Sequence, residues 1–362
     1  MCVEAKHPKE LTEAEITAWR AIVAERPDLS SPYLAPEWAQ AVGAVRPDAR
    51  VVVYRNGTSG EPEAFLAVQR PSGAIALPAG GPVCDYQALI CRRDFAGDPA
   101  EAAQALGVGR IDFTYGLRSS AIGTCLKSSD AGHVVNFAEG WDAYCAERKS
   151  AGSKVISRAR KKWNKLVREC GEVTVEKFSS EDASFDQLIA WKREQYARTG
   201  VADVFARDWI DQLVRSIRDF PEHGAFGGAM FVLKVRQEAA AMLFCLRSGK
   251  TLHAWFTAYD PALAEHSPGL LLFVEAIRAA AEAGYEELDL GAGDYPFKQS
   301  LANSVRETGA GFIGRPGLTA ASRAAQYRLR ALIESLPVGR ARQWPAKAMR
   351  RLDLARGMNC AA

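Results

Sequence analysis

The segment Ala254–Asn303, AWFTAYDPALAEHSPGLLLFVEAIRAAAEAGYEELDLGAGDYPFKQSLAN, decides the fold. It opens inside an aromatic, apolar strand predicted over Thr251–Tyr259 and turns through a loop holding His266, Ser267, Pro268 and Gly269. A strong helix is predicted over Leu270–Ala283, closed by Gly284, because glycine tolerates the left-handed conformation that follows a helix C-terminus. Tyr285–Leu290 then reads as a short strand. This order places the chain in the α/β (α+β) class. The first N–H groups of the helix lack internal partners and its dipole points positive, so an anion such as a pyrophosphate suits its start. An ordinary strand-to-helix turn with proline at the entrance has the same pattern. In Glu287–Lys298, two glycines permit close approach of backbone or ligand. Asp294 can accept a proton from an amine there, and Lys298 can hold a phosphate or carboxylate. An exposed turn with an ion pair is the alternative.

Upstream, strands are predicted over Ala229–Arg236 and Ala239–Arg247, preceded by helices over Ser180–Tyr196, with Ser180 as cap, and Arg207–Asp219. The first half has the same order. Helices are predicted over Thr12–Ala24 and Pro36–Val45, and strands over Arg50–Tyr54, Glu63–Gln69 and Ala74–Leu77. The glycine- and proline-rich loop PAGGPVCDYQ (78–87), a helix over Ala100–Leu106 and a strand over Arg110–Tyr115 follow. Helix, helix, three strands, helix, strand thus occurs twice, at 11–115 and 180–295, which reads as a tandem duplication of fold. The length, 362 residues, accommodates two domains of ordinary size.

Net charge is only +3, yet its distribution is uneven. Lys154–Arg168 carries seven basic residues and no acid, and Arg315–Ala362 carries ten basic residues against Glu334 and Asp353. In the first segment Val155, Ala159, Trp163, Leu166 and Cys170 share one helical stripe, opposite a cationic stripe that includes Arg158, Lys161 and Lys165. Docking between domains, an anionic donor or an acidic headgroup each suit such a helix. In the tail Ala325, Leu329, Leu332 and Leu336 align, and a second short helix is predicted from Pro345 beside Trp344. Arginine-rich segments with tryptophan, here including Arg330, Arg350 and Arg351, suit an anionic membrane or a nucleotide, a regulatory cyclic dinucleotide included. A helix packed on the domain with arginines outward is the plainer reading.

The eight cysteines are scattered, with no CxxC spacing and no clustering with histidine, which argues against a disulfide framework or a metal site. The first residues lack a signal-peptide core, and no apolar run approaches the length of a membrane span. A cytoplasmic chain, touching a membrane only from its inner surface, is expected. His253, in an apolar strand, reads as a packed residue before a base, and Cys245 as core.

The same segment resembles the signature half of the BioF2-like, FemAB-related acyltransferases, which include CelD-type members associated with exopolysaccharide genes. The resemblance rests on Trp255, Tyr259, Asp260, Pro261, Ser267, Pro268, Gly269, Asp289, Gly291, Gly293, Asp294, Phe297 and Lys298. Ser31–Val42 and the CDYQ loop (84–87) resemble the family's N-terminal half. It implies two tandem GNAT-like domains with mixed, mainly antiparallel sheets and a basic helical tail. The divisions expected are 1–150, a connecting helix at 151–179, a second domain at 180–315 and the tail at 316–362. It also implies an N-acyltransferase that works by direct attack in a ternary complex, with acetyl-CoA or another acyl-CoA as donor and no metal. The acceptor implied is an amino sugar of a polysaccharide or lipid-linked precursor.

Asp294 is then the expected base, and a backbone N–H at Trp255–Thr257 the oxyanion donor. Ser267, Gly269, Leu270 and Lys298 would hold the donor, and Asp85, Tyr86 and Tyr259 the acceptor. The Gln/Arg-x-x-Gly-x-Gly/Ala phosphate loop of ordinary acetyl-CoA-dependent relatives is absent, and His266 to Gly269 stand in its place. Aminoacyl-tRNA therefore stays open as the donor, with a peptidoglycan precursor as acceptor. A non-catalytic module binding nucleotide or nucleic acid is the remaining alternative.

Overall fold

Strands covered on both faces carry unbroken apolar runs, and Val51–Tyr54 and Met242–Leu246 are such runs, buried along their whole length. Each marks the middle of a sheet. The computed structural model describes residues 1–57, 60–221, 224–293, 295–335 and 344–358. They form two compact units, Met1–Ala131 with Glu307–Ala362, and Gly132–Arg306.

The first unit begins with β1 (Cys2–Lys6), α1 (Glu13–Glu25), α2 (Pro36–Val45), β2 (Ala49–Arg55), β3 (Pro62–Gln69) and β4 (Ile75–Pro78). The short β5 (Ile90–Cys91), α3 (Glu101–Ala105) and β6 (Arg110–Leu117) follow. Thr12 caps α1 in a reciprocal capping box with Glu15. β1, β2, β3 and β4 pair antiparallel in that order, and β4 pairs parallel with β6.

The second unit holds β7 (Asp130–Asn136), α4 (Trp141–Ser150), α5 (Val155–Cys170), β8 (Val173–Lys177), α6 (Asp182–Thr199) and α7 (Asp208–Arg218). It continues with β9 (Phe226–Val235), β10 (Glu238–Ser248), β11 (Thr251–Tyr259), α8 (Pro268–Glu282), β12 (Glu287–Ala292) and α9 (Pro296–Leu301). β8, β9, β10 and β11 pair antiparallel in that order, β11 pairs parallel with β12, and β12 pairs antiparallel with β7. Phe231, Leu243, Leu252, Leu272 and Ile277 form its core. The chain then returns to the first unit through β13 (Ser304–Gly314), antiparallel to β6, and ends in α10 (Leu318–Ser335) and α11 (Trp344–Met358).

The two units repeat one order, with β2–β3–β4–β6 matching β9–β10–β11–β12 and a parallel pair at the same place in each. The mixed, mainly antiparallel sheets expected from sequence are present. The compact units differ from the expected divisions. Residue 150 ends α4 inside the second unit, α5 packs against that unit's core through Val155, Ala159 and Leu166, and β13 joins the first unit. Two local expectations are corrected. α6 begins after Glu181, not Ser180, because Glu181 has the extended N-cap conformation. In α10 the buried residues are Arg323 and Tyr327, while Leu329 and Leu332 are exposed. Arg323 is held by Asp112 and Asp353, and Tyr327 stacks on Phe312, so these pairings turn the leucines outward. Leu336 lies outside the described residues.

Candidate functional site

The parallel pairing of β11 with β12 covers three rungs, Thr251 with Glu287, Leu252 with Leu288 and His253 with Asp289. Beyond them β11 continues to Tyr259 and β12 to Ala292 with no further rung among the described residues. Two parallel strands that part in mid-sheet leave backbone N–H and C=O groups facing a gap, where a polar ligand can pair with them.

Asp289 anchors the branch point. Fully buried, it accepts a hydrogen bond from the Gly291 N–H at 2.7 Å and from Arg306 Nε at 3.0 Å, and its Oδ1 lies 3.6 Å from His253 Nδ1. Arg306 also pairs with Glu287. Gly291 sits at φ +73°, a conformation that side-chain-bearing residues avoid, and there β12 kinks. His253 is thus a packed residue at the root of the gap, as its apolar neighbours suggested.

One step further along β11 the register with β10 shifts. Phe244 faces Phe256 and Cys245 faces Ala254, so Trp255 is an extra residue in β11. Such a bulge interrupts the ladder and re-aims the backbone. A backbone N–H turned toward the gap is the kind of donor that stabilises charge developing on a carbonyl oxygen. The Trp255 ring stacks on Phe244, centroids 6.0 Å apart, which holds the bulge in place.

The far wall is the start of α8. Asp260 accepts the Ala262 N–H at 2.9 Å and opens a tight turn over Pro261–His266. Ser267 follows in the left-handed region at φ +54°, and its carbonyl accepts the Leu270 and Leu271 N–H groups. Pro268 fits the first helical position, where an N–H would lack a partner. A side-chain carbon added at Gly269 would meet only Tyr259, at 3.8 Å, so the helix entrance is open. Tyr259 is half-exposed and lines a cavity of about 140 Å³ with Trp191, Glu194, Gln195 and Arg198 of α6. The structure therefore gathers Trp255, Tyr259, Ser267, Gly269 and Leu270 along β11 and the turn into α8.

Lys298, on α9, donates to the Ala292 carbonyl at 2.8 Å and the Gly291 carbonyl at 3.4 Å. Its ammonium thus covers the backbone that β12 leaves exposed as it parts from β11. Asp294 lies outside the described residues. α5 docks on the turn before α8: Lys162 donates to the Glu265 carbonyl at 2.8 Å, and Lys165 lies 3.5 Å from Glu265 and 3.6 Å from Glu169. Arg158 and Lys161 point to solvent. His266, at the start of the stretch that replaces the phosphate loop, is buried 3.3 Å from Glu265 and 3.8 Å from the Cys170 thiol. Glu169, Glu265 and His266 could converge on a cation. Lys165 contacts both carboxylates and Arg168 pairs with Glu169 at 3.1 Å, so two cations already meet the two acids.

The remaining expected residues belong to the first unit. Tyr86 is fully buried and lines a small cavity with Cys84 and Gln87. Asp85 lines a cavity of about 150 Å³ with Asp112, Thr114, Tyr115 and Asp353. Arg330 is spent on Glu334 at 2.7 Å, and Arg351 is exposed. The Arg350 side chain lies outside the described residues.

Residues 153–299 match the acetyltransferase (GNAT) domain family. Among solved structures the chain is similar to FemX, with 14% identity over 90% of this chain and 99% of that one, at a TM-score of 0.52. It is also similar to the C-terminal domain of an Agrobacterium fabrum protein assigned as a lysylphosphatidylglycerol synthetase. There the identity is 13% over 86% and 94% of the two chains, with a TM-score of 0.52. A tandem GNAT protein from clavulanic acid biosynthesis aligns with 10% identity over 87% and 99%, at a TM-score of 0.50. No curated protein matches the sequence. The chain has a mixed α/β, two-domain GNAT-like fold, and residues 153–299 form its acyltransferase domain.

Proposed function

We propose that the second unit transfers an acyl group from an acyl-CoA thioester to the free amine of an amino sugar, within a polysaccharide or lipid-linked precursor. The observation that carries this reading is the parting of β11 from β12 beside the Trp255 bulge and the open start of α8. An extended thioester arm can pair with the parted strands, its carbonyl oxygen beside the bulge, while the phosphates face the α8 N-terminus. Lys298 adds positive charge at the same end. The amine attacks the thioester carbon directly, the carbon–sulfur bond breaks, and CoA leaves as a thiolate that takes up a proton from solvent. Asp294, two residues past the β12 terminus, takes the proton that the amine must lose. Tyr259 borders the acceptor. The resemblance to CelD-type proteins of exopolysaccharide gene sets supports an acceptor made at the inner membrane face, and among the described residues no helix is long and apolar enough to cross a membrane.

Titration of the protein with acetyl-CoA, followed by a thiol-release assay over amino sugars, tests this. Saturable binding and turnover are expected, with Asp294→Ala keeping binding and losing about 10²-fold or more in turnover. Absence of CoA binding, with activity that requires aminoacyl-tRNA and is abolished by RNase, would replace this reading with a FemX-like one. The missing phosphate loop and the cations of α5 favour that second reading.

A further inference from the structure

Behind α8, on the side of the second unit formed by α5 and β8, runs a groove of about 600 Å³, within the range of small-molecule sites. Its floor is apolar: Trp141, Ile156, Trp163, Leu271 and Val274, with Val175 at one end. Its rim is cationic. Arg160, Lys177 and Arg278 stand around it against two acids: Arg278 pairs with Glu275 and lies 3.9 Å from Glu282, which leaves a net charge of about +1 on the rim, carried by Arg160. Lys177 is shared with Glu282 at 2.7 Å. Arg160 is exposed, with no ion pair among the described residues, and Arg278 Nε is buried without a hydrogen-bond partner among them. The Trp255 bulge and the helix entrance of the acyltransferase site do not line this groove.

An apolar floor and a rim with a net positive charge select a ligand with the opposite pattern, an apolar chain joined to an anionic head. Guanidinium groups suit phosphate, since their planar N–H forks match its oxygens. Tryptophans pack hydrocarbon while leaving one edge in a polar layer. The other cations of α5 extend the positive field beyond the groove, as expected for a surface that meets anionic headgroups. We propose that this groove binds the acyl chain of a phosphate-bearing lipid, with Arg160, Lys177 and Arg278 at its headgroup. This inference stands independently of the donor and acceptor proposed above.

The test titrates the full chain with dihexanoyl phosphatidylglycerol below its micellar concentration, read by calorimetry and tryptophan emission. Dihexanoyl phosphatidylcholine and glycerol phosphate are the comparison ligands. Saturable binding with a blue-shifted emission is expected, about tenfold or more weaker for phosphatidylcholine, with no emission change for glycerol phosphate. Arg160→Glu combined with Lys177→Glu, both on the surface, should weaken binding about fivefold or more and flatten its salt dependence. Trp163→Phe should keep calorimetric binding and lose much of the emission response. Equal affinity for the zwitterionic lipid, equally tight binding of glycerol phosphate, indifference to the double substitution, or no binding at all would each overturn the proposal.

Discussion

At the scale of single residues, the parting of β11 from β12 is anchored by a buried carboxylate. Asp289 is surrounded by Arg306, His253 and the Gly291 N–H at the last rung before β11 and β12 part. Removing it takes the acceptor from the Gly291 N–H and leaves Arg306 on Glu287 alone, and losing one partner of a buried pair costs up to roughly 3–5 kcal/mol. Asp289→Ala is therefore expected to lower the urea midpoint strongly, whereas Asp294→Ala should leave it unchanged. Lys192 on α6 gives a prediction in pH. Burial holds its ammonium down at about 8, and no carboxylate pairs with it among the described residues. Between that value and the ordinary lysine range near 10.4, the unfolded chain binds a proton that the folded chain has released. Stability should then rise with pH through this window, by at most on the order of 3 kcal/mol. Lys192→Met should flatten that rise and raise stability at neutral pH, as denaturant titrations at pH 7 and 10 would show. The order of strand, helix and strand from Trp255 to Leu290 was legible in sequence because each element carries its own local pattern. The role of Arg306 was not, because its partners are set by sheet register.

At the scale of elements, local patterning found the longer helices and the central strands and missed α9, β1, β5, β7, β8 and β13. β13 shows why. Its sequence, SVRETGAGFIG, has the composition of a loop, yet its glycines are there for close approach. A side-chain carbon at Gly309 would lie 2.1 Å from the Ser128 carbonyl oxygen, and one at Gly311 would lie 2.5 Å from that of Cys125. Tertiary crowding overrides strand propensity there. The tail helices depend on comparable long-range contacts. Arg323 of α10 reaches Asp112 of β6 at 3.2 Å and Asp353 of α11 at 2.5 Å, while Asp112 also holds Arg110 at 2.9 Å. Because Arg110 remains on Asp112, loss of Arg323 falls mainly on Asp353. Arg323→Ala should release α11 before it unfolds the sheet. Amide exchange is the measurement: residues 344–358 should exchange at least about tenfold faster, with β2 and β3 unchanged. Uniform acceleration across the first unit would instead show that the cluster supports the whole sheet.

At the scale of the whole molecule, the duplication was readable as an order of elements, but the crossed use of the last strands was not. β7 follows β6 in the chain yet pairs with β12, and β13 follows β12 yet pairs with β6. No local pattern encodes such an exchange, since either strand would suit either edge. The repeat raises the question of how many donor sites the molecule has. In the first unit the parallel pair β4–β6 also has few rungs, Ile75 with Arg110 and Ala76 with Ile111. The space beyond them is a cavity of about 150 Å³ that Leu354 and Gly357 of α11 line. The Gly357 carbonyl accepts a hydrogen bond from Gln69 at 2.9 Å, which ties that helix down. The helix matching α8 is α3, five residues long against fifteen, too short to offer a comparable anion site. Under the acyl-CoA reading, calorimetry should return one acetyl-CoA per chain. The site should survive Leu354→Ala, which touches only the first unit's cavity. A stoichiometry of two would mean that α11 yields to the ligand and that the first unit keeps a working cleft.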